Sequence, residues 1–390
     1  MLEIKTLRSR VLVFKGNDTY ITTKTALKNF SFSTLRGKRI LLKPNAARIA
    51  YPGQAITTNP KVLEATIDYL REEGAKEILI GESCIFGIDS EKAFKVTGME
   101  EISRKKGISL IDLDKTTPIE LKIPKGKIIN KIKVSSILKE IDFIISLPVM
   151  KTHMHTQVTL SIKNMKGLLW RREKVRLHQI GFDKISSQDF KSLDMAISDM
   201  AQVLYPDFSI IDGTTAMEGM GPAYGKRKDL GLIIVGDNAL STDAVASELM
   251  GFNPLDIAHL RLIAERGLGE IKTSNISILP EDYKKWQTHF EPPPSKLSFR
   301  FNDIIVHESG SCSACLATLF ILLNNYQEKL QSYRLQDGKI HIGVGRCLKD
   351  LPNGTILIGN CTSKMEKSGI LIQGCPPVSS QIVRSLKRKA

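Results

Sequence analysis

The sequence lacks any long apolar run. No stretch approaches the roughly 18 to 20 apolar residues that a helix needs to span a membrane, and Met1–Thr6 does not begin a secretory signal. These absences predict a cytoplasmic protein with no membrane association. In the cytoplasm, clustered cysteines indicate metal or redox sites before structural disulfides.

Aromatic residues are scarce as well, at 6% of the 390 residues. No basic stripe is interleaved with aromatic side chains, as platforms for single-stranded nucleic acids require. The formal net charge of +15 nevertheless attracts anionic partners. A small anionic ligand is therefore the favoured partner, nucleic acid is a less favoured one, and a homodimer stays an open alternative.

Glycine-rich nucleotide loops are also missing. The loop Met217–Pro222 has neither the GxGxxG spacing nor a GK[ST] ending, so it predicts no nucleotide-binding fold. It does carry an acid, Glu218, which we predict to act as a base or metal ligand.

An alternation of short apolar runs with helical patterns dominates the first 279 residues. This pattern predicts an α/β fold, a mostly parallel sheet with helices on both faces. Pro60 fits the first turn of a helix that Gly74 ends. The other predicted helices span 191–204, 242–250 and 256–266, and the predicted strands span 39–42, 77–81, 108–113, 143–147, 208–213 and 232–236.

The character of the chain changes after residue 279. Residues 280–298 include the run Pro292–Pro294 and predict a linker. Residues 299–390 follow as a small α+β segment that holds five of the six cysteines, with a helix from Ala314 to about Ser332 and strands near 340–344 and 355–358.

Four of those cysteines predict a metal centre. Cys312 and Cys315 form a CxxC, and Cys361 and Cys375 follow it, each with a glycine within two positions. Four thiolates suit a 4Fe-4S cluster or, as the alternative, a tetrahedral zinc. Cys347 is a spare or alternate ligand. A set of buried inert cysteines, or a redox pair with two bystanders, is the simpler reading.

Polar side chains follow several predicted strands, where ligands bind in open α/β sheets. Lys151 and His153 come directly after the strand 143–147, and we predict them to be catalytic together with Glu218. The alternative is solvated loop charge. The predicted substrate-binding residues are Lys43, Asn45, Asn59, Lys163, Asn164 and Lys166.

Several of these motifs, in this order, resemble those of the domain-of-unknown-function family 362, over roughly residues 38–270. They are Lys43–Asn45, Thr58–Pro60, Lys151–His153, Val158–Gly167, Asp212–Gly213 and Glu218–Pro222. The resemblance implies an association with iron–sulfur proteins and a distant architectural likeness to lactate racemases. This chain departs from members with a ferredoxin-like segment, because it has no CxxCxxCxxxCP run.

Three functions are compatible with the sequence. The first is a redox or cluster-dependent iron–sulfur enzyme, an oxidoreductase or a lyase, that acts on a small anionic substrate held by Lys, His and Asn at the strand ends. The second is a non-catalytic iron–sulfur protein for electron transfer or maturation. The third is a zinc-stabilised nucleic-acid-binding protein.

Overall fold

A computed structural model describes residues 9–30, 35–85, 87–180, 190–293, 301, 303–377 and 379–387. No helix among these residues is long and apolar enough to cross a membrane. The chain divides into two compact units. The first comprises Met1–Lys174 and Asp194–Pro293, and the second comprises Val175–Leu193 and Pro294–Ala390.

The first unit is built on a large, mostly parallel sheet, which confirms the predicted fold class. Its strand order is β12-β1-β11-β10-β7-β2-β3-β4, and β8 pairs with β10 and β9. The strands are β1 Arg10–Lys15, β2 Arg39–Pro44, β3 Glu77–Glu82, β4 Ser109–Asp112, β7 Phe143–Leu147, β8 Val149–His153, β9 Gln157–Thr159, β10 Phe208–Glu218, β11 Lys226–Gly236 and β12 Ser277–Leu279. A separate antiparallel pair consists of β5 Pro118–Lys122 and β6 Lys131–Ser135.

Helices connect the parallel strands, as crossover connections require. Asn59 caps one of them by accepting a hydrogen bond from the Lys61 amide, and Pro60 occupies its first turn. The helices of this unit are α1 Thr19–Lys28, α2 Pro60–Glu72, α3 Ser90–Val96, α4 Met99–Lys106, α5 Ser161–Asn164, α6 Glu173–Gln179, α7 Ser192–Ala201, α8 Ala239–Leu249 and α9 Ala258–Ala264, and α6 and α7 continue into the second unit.

The central strands are buried on both faces. Ile40 and Leu42 of β2 pack in one core with α1 and α2, while Leu41 between them points to the other face and is equally buried. Burial on both faces explains why these strands are continuous apolar runs rather than alternating ones.

One part of the sheet differs from a purely parallel arrangement. The strands predicted at 208–213 and 232–236 belong to β10 and β11, which pair antiparallel along their length. No helix separates them, and a short loop joins only antiparallel neighbours. β1 then pairs antiparallel with β11, so β11 runs against the parallel strands.

The second unit contains its own four-stranded sheet, in the order β13-β14-β15-β16, with every pairing parallel. Its strands are β13 Ile304–Glu308, β14 Ile340–Val344, β15 Thr355–Ile358 and β16 Gly369–Ile372, and its helices are α10 Ser313–Tyr326 and α11 Ser379–Lys387. A separate core of Leu, Ile and Val side chains holds this unit together.

Candidate functional site

A buried ion pair lies where β2 and β3 end. Lys43 Nζ is 2.8 Å from Glu82 Oε1, and each side chain is 1% exposed. Glu82 also accepts hydrogen bonds from the backbone amides of Ala46 and Ser83. Burial lowers the pKa of Lys43, and the Glu82 carboxylate opposes that change. Lys43, which we predicted to bind the substrate, is therefore paired with a carboxylate of the protein itself.

Gly167 closes over this pair. A Cβ placed there would lie 2.3 Å from Glu82 Oε1 and 2.5 Å from Lys43 Nζ. Only a residue without a side chain leaves the pair its space, which explains the glycine at the end of the Val158–Gly167 motif.

The short helix α5 is fixed at the same edge from two sides. The backbone amides of Ser161 and Ile162 donate to the carboxylate of Asp243 on α8, at 2.7 and 3.0 Å. Asn164 donates to Lys43 O at 2.8 Å and to Ser146 Oγ at 3.1 Å. Burial raises the pKa of Asp243 to about 7. These bonds position Lys163, which lies between them in the chain.

Four basic side chains form what we call the cationic cluster: Arg48, Lys151, Lys163 and Lys166. Lys151 and Lys163 are buried, at 2% and 7% exposed, while Arg48 and Lys166 keep part of their surface exposed. The four influence one another electrostatically, because Arg48 lowers the pKa of Lys151, and Lys166, Lys151 and Arg48 all lower that of Lys163.

Burial is the larger cause of these shifts. It lowers the pKa of Lys151 to about 7, that of Lys166 to about 7, and that of Lys163 well below its usual range. Lysines with a pKa near 7 exchange protons readily at neutral pH, which is the property of acid–base groups. Lys151 Nζ also donates to the carbonyl of Ile56 at 2.6 Å.

Two carboxylates oppose these shifts. Glu82 raises the pKa of Lys151, but this carboxylate already pairs with Lys43. Asp194 raises the pKa of Lys163. Beside Asp194 lies His259, which is fully buried; burial and the charge of Lys163 lower its pKa to about 3, so it is neutral.

The other predicted residues occupy different settings. His153 is buried, and its Nδ1 accepts a hydrogen bond from the His155 amide at 3.1 Å, which places the proton of a neutral ring on Nε2. Glu218 Oε2 is 3.0 Å from Lys228 Nζ. The side chain of Asn59 caps α2, and its backbone N–H donates a hydrogen bond to the carboxylate of Asp212. Asn45 Oδ1 is buried without a hydrogen-bond partner among the described residues.

One strand-end motif lies away from the rest. Asp237 follows β11, which is antiparallel, and its carboxylate accepts from the amide of Arg10 at 2.9 Å. Gly236 pairs with Ser209 at the start of β10, so this motif is at the opposite edge from Lys43 and Glu82.

Sequence reasoning missed three residues of the site: Arg48, Thr57 and Thr159. Arg48 lies in the loop after β2. A single positive charge in a loop does not by itself indicate a binding site. Thr159 is the cross-strand partner of Lys151, and its hydroxyl is buried without a hydrogen-bond partner in the described chain, as is that of Thr57. Only the pairing of β8 with β9 brings Thr159 and Lys151 together.

The cysteines of the second unit follow the carboxyl ends of its parallel strands. Cys312 and Cys315 come after β13, Cys347 after β14, Cys361 after β15 and Cys375 after β16. Parallel strands end at one edge of a sheet, so the topology brings all four cysteine-bearing connections to that edge.

Three of the thiols influence one another. The Cys315 thiol lowers the pKa of Cys312 to about 6 and that of Cys361 to about 6, while its own pKa is raised by both neighbours. Asn360 ties the loop of Cys361 to that of Cys375, because its amide donates to Gly374 O and its Oδ1 accepts from Gly374 N.

Gly359 lies against two of these sulfurs. Gly359 has φ 96°, and a Cβ there would lie 3.3 Å from Cys315 Sγ and 3.7 Å from Cys361 Sγ. A side chain at this position would contact both sulfurs. Across the described ranges, no three His, Cys, Asp or Glu side chains are already grouped so that they would hold an ion. Thiols become ligands only on deprotonation, so metal binding and the final arrangement of the sulfurs are linked.

The segment Val175–Leu193 contributes to the same unit. His178 Nδ1 is 2.8 Å from Ser313 Oγ, beside Cys312, and Gln179 Nε2 donates to Cys375 O and lies 3.6 Å from Cys375 Sγ. A piece of the chain more than a hundred residues upstream therefore lines the cysteine loops.

Comparison with known proteins identifies relatives of this chain. The family described as "Domain of unknown function (DUF362)" matches residues 40–248. A thylakoid-associated protein of Synechocystis sp. is 25% identical over 232 residues, which make up 60% of this chain and 69% of that protein.

Two solved structures are more distant. The lactate racemase apoprotein of Thermoanaerobacterium thermosaccharolyticum is 13% identical, with a TM-score of 0.36, over 54% of this chain and 52% of that one. A crystal structure of a protein from Thermotoga maritima is 13% identical, with a TM-score of 0.30, over 66% of this chain and 58% of that one. The match thus spans little more than half the length of either solved protein.

Proposed function

Because this chain belongs to the DUF362 family, whose matched segment 40–248 includes the whole cationic cluster, we propose that it is an enzyme for a small anionic substrate that also carries an iron–sulfur centre. The substrate binds at the cationic cluster of the first unit. The centre is held by the cysteines of the second unit. The protein works in the cytoplasm, where cysteine ligands stay reduced.

The four basic side chains that act on one another at the strand ends carry the substrate half of the proposal. Burying a cation is unfavourable unless an opposite charge pairs with it. Lys43 has such a partner in Glu82, whereas burial lowers the pKa of Arg48 and that of Lys151. Arg and Lys are the side chains that bind carboxylates and phosphates, so an anionic ligand suits this cluster.

We assign acid–base work to Lys151 and His153. Lys151 titrates near pH 7, so it can hold or release a proton at its Nζ under working conditions. His153 has its Nδ1 occupied as an acceptor, which leaves Nε2–H as its donor. We assign Glu218 only the role of ion-pair partner of Lys228. Lys163 and Lys166 orient the substrate.

The iron–sulfur half is supported by the row of cysteines at the strand ends and by the contact among the thiols of Cys312, Cys315 and Cys361. Cys312, Cys315, Cys361 and Cys375 would hold the cluster, which supplies electron transfer or an acidic iron when bound. Backbone amides beside the glycine-flanked cysteines would tune its potential. Zinc on the same four thiolates is the alternative.

Metal analysis tests this half. We expect protein purified without oxygen to contain about four irons and four sulfides per chain, and the variants C312A, C361A and C375A to lose them. C84A is the control, since Cys84 is a buried thiol of the first unit. One zinc without iron contradicts the cluster and favours the nucleic-acid-binding alternative.

The variant C347S decides the ligand set. Cys347 is exposed and follows β14 at the same sheet edge. Full iron in C347S supports the assigned four cysteines. Loss of iron in C347S together with full iron in C375A would replace Cys375 by Cys347 as the fourth ligand.

Ligand binding tests the other half. We expect carboxylates and phosphates to raise the unfolding temperature of the wild type, because a ligand that binds only the folded state stabilises it. K151M should lose most of this effect. K76M removes one positive charge from an exposed position and should keep it. An equal response of K151M and K76M would mean that anions bind elsewhere.

A further inference from the structure

The loop of Cys375 is held by a side chain from a distant part of the chain, Gln179. Its Nε2 donates to the Cys375 carbonyl and lies 3.6 Å from Cys375 Sγ, within reach of a hydrogen bond to sulfur. An amide NH2 group has two hydrogens, so it can donate to both atoms at once. The amide oxygen has no hydrogen and would repel the carbonyl. The carbonyl therefore fixes the NH2 end of Gln179 against the cysteine.

The preceding residue attaches the same segment to the other end of the cysteine row. Ser313 Oγ lies 2.8 Å from His178 Nδ1 and 3.3 Å from the His178 carbonyl, and Ser313 directly follows Cys312. The loop of Cys312 follows β13 and that of Cys375 follows β16, the two outer strands of the four-stranded sheet. Two successive residues, His178 and Gln179, thus bridge the first and the last of the cysteine loops.

The thiols between these loops are already in contact. The Cys315 thiol is hydrogen-bonded to those of Cys312 and Cys361. Gly374, the residue before the fourth cysteine, adjoins them: a Cβ at Gly359 would lie 3.6 Å from the Gly374 carbonyl oxygen and 3.3 Å from Cys315 Sγ. Three thiols in contact and a fourth cysteine in the adjoining loop suit a centre with four cysteine ligands.

Cys347 competes with Cys375 for the fourth position. Its Sγ lies 3.0 Å from the Cβ position of Gly310, so it also adjoins the loop of Cys312. Gln179 distinguishes the two, because it gives Cys375 an N–H donor on its sulfur. A sulfur that binds a metal carries negative charge, and a hydrogen-bond donor stabilises that charge.

We propose that Gln179 is a positioning residue of the metal centre: it holds the loop of Cys375, donates a hydrogen bond to the ligand sulfur, and so selects Cys375 over Cys347 as the fourth ligand. This inference rests on the proposed centre in the second unit. Hydrogen bonds to the sulfurs are one of the properties that set the potential of an iron–sulfur centre. The bond from Gln179 favours the reduced centre, which carries one more negative charge.

Metal retention by the full-length protein tests the bond. Q179L removes the donor, and Q179E also places a negative charge beside the sulfur. We expect Q179L to hold its metal roughly tenfold more weakly than the wild type in competition with a chelator, as is typical when a partner of a metal ligand is lost. Q179E should lose more. Q336L is the matched control and should match the wild type, because Gln336 is an exposed glutamine that precedes β14, away from the cysteine edge.

A readout at the sulfur separates this bond from simple support of the loop. In an iron–sulfur protein, Q179L should lower the midpoint potential, because the reduced centre loses a donor. In a zinc protein, the metal is replaced by cobalt(II), and the sulfur-to-cobalt charge-transfer band should move in Q179L. Neither property should change in Q336L.

The outcomes distinguish this inference from the centre itself. A wild-type potential or cobalt band in Q179L overturns the bond to sulfur, whether or not metal retention falls, and leaves the centre in place. Full metal in C375A overturns the selection of Cys375. A wild-type protein that contains neither iron nor zinc overturns the centre, and the role of Gln179 with it.

Discussion

At the scale of single residues, the ionisation of Lys151 departs from what its sequence suggests. An ordinary lysine stays charged at pH 7, but burial and then Arg48 lower the pKa of Lys151 to about 7. Between that pH and the model-peptide value of 10.5, the unfolded chain binds more protons than the folded one. The free energy of unfolding therefore rises with pH across this window.

The variant K151M should remove this dependence. We expect K151M to gain stability relative to the wild type at pH 7, and the gain to shrink as the pH rises to 10, by up to about 1.4 kcal/mol per pH unit. Urea unfolding of both proteins at pH 7, 8.5 and 10 measures the difference. K76M serves as the control for the lost charge. A difference that stays constant with pH would show that Lys151 is fully charged in the folded protein.

Burial shifts the pKa of Cys84 in the opposite direction from that of Lys151, because a thiol is charged when it is deprotonated. It is buried in the core of the first unit, and burial raises its pKa to about 12. Because the thiolate is the reactive form, we expect Cys84 to resist iodoacetamide at pH 8 in the folded protein and to react after unfolding in urea. Mass spectrometry of the labelled peptides measures this, with exposed Cys347 as the internal control. Rapid labelling of native Cys84 would contradict the burial.

At the scale of elements, the junction of β2, β3 and the turn after α5 depends on the space at Gly167. A methyl group there meets both partners of the Lys43–Glu82 pair. We expect G167A to lower the free energy of unfolding by roughly 1–3 kcal/mol, the usual cost of overpacking. Disturbing the pair would add to that cost, since a buried charge would lose its partner.

The control for this variant is G37A. Gly37 has φ 74° and no neighbouring atom at its Cβ position, so G37A reports only the cost of the left-handed backbone, about 1 kcal/mol. Urea unfolding measures both. A cost for G167A no larger than that for G37A would show that the ion pair moves aside easily.

The elements were predictable to different degrees. The strand 143–147 and the strands 340–344 and 355–358 were predicted with the bounds that the structure has, because short apolar runs with sharp polar ends mark buried parallel strands. The antiparallel pairing of β10 with β11 was not predicted. Apolar patterning identifies a strand but not its direction, which depends on the connection and on the neighbours that the tertiary fold supplies.

At the scale of the whole molecule, the two units have separate cores, and the proposed centre belongs to the second. Metal binding stabilises the structure that presents the ligands. We therefore expect removal of the metal, or C312A, to increase amide hydrogen exchange in residues 303–377 and in 175–180, which donate contacts to the cysteine loops. Residues 39–72 of the first unit should keep their protection.

Exchange measured by mass spectrometry on the full chain, with and without metal, gives this comparison. C84A with its metal bound is the matched control. Uniform loss of protection over both units would mean that they unfold together. Unchanged exchange in 303–377 would mean that the second unit is stable without a metal.

The sequence by itself determined the α/β class, half of the strands and the family. Each of these follows from local patterns: apolar runs, helix caps such as Asn59–Pro60, and motifs in a fixed order. The tertiary structure decided which polar residues act together. It paired Lys43 with Glu82, placed Glu218 against Lys228, and brought Arg48, Lys151, Lys163 and Lys166 close enough to act on one another electrostatically. Such grouping depends on burial and on distances between residues far apart in the chain, and local sequence carries neither.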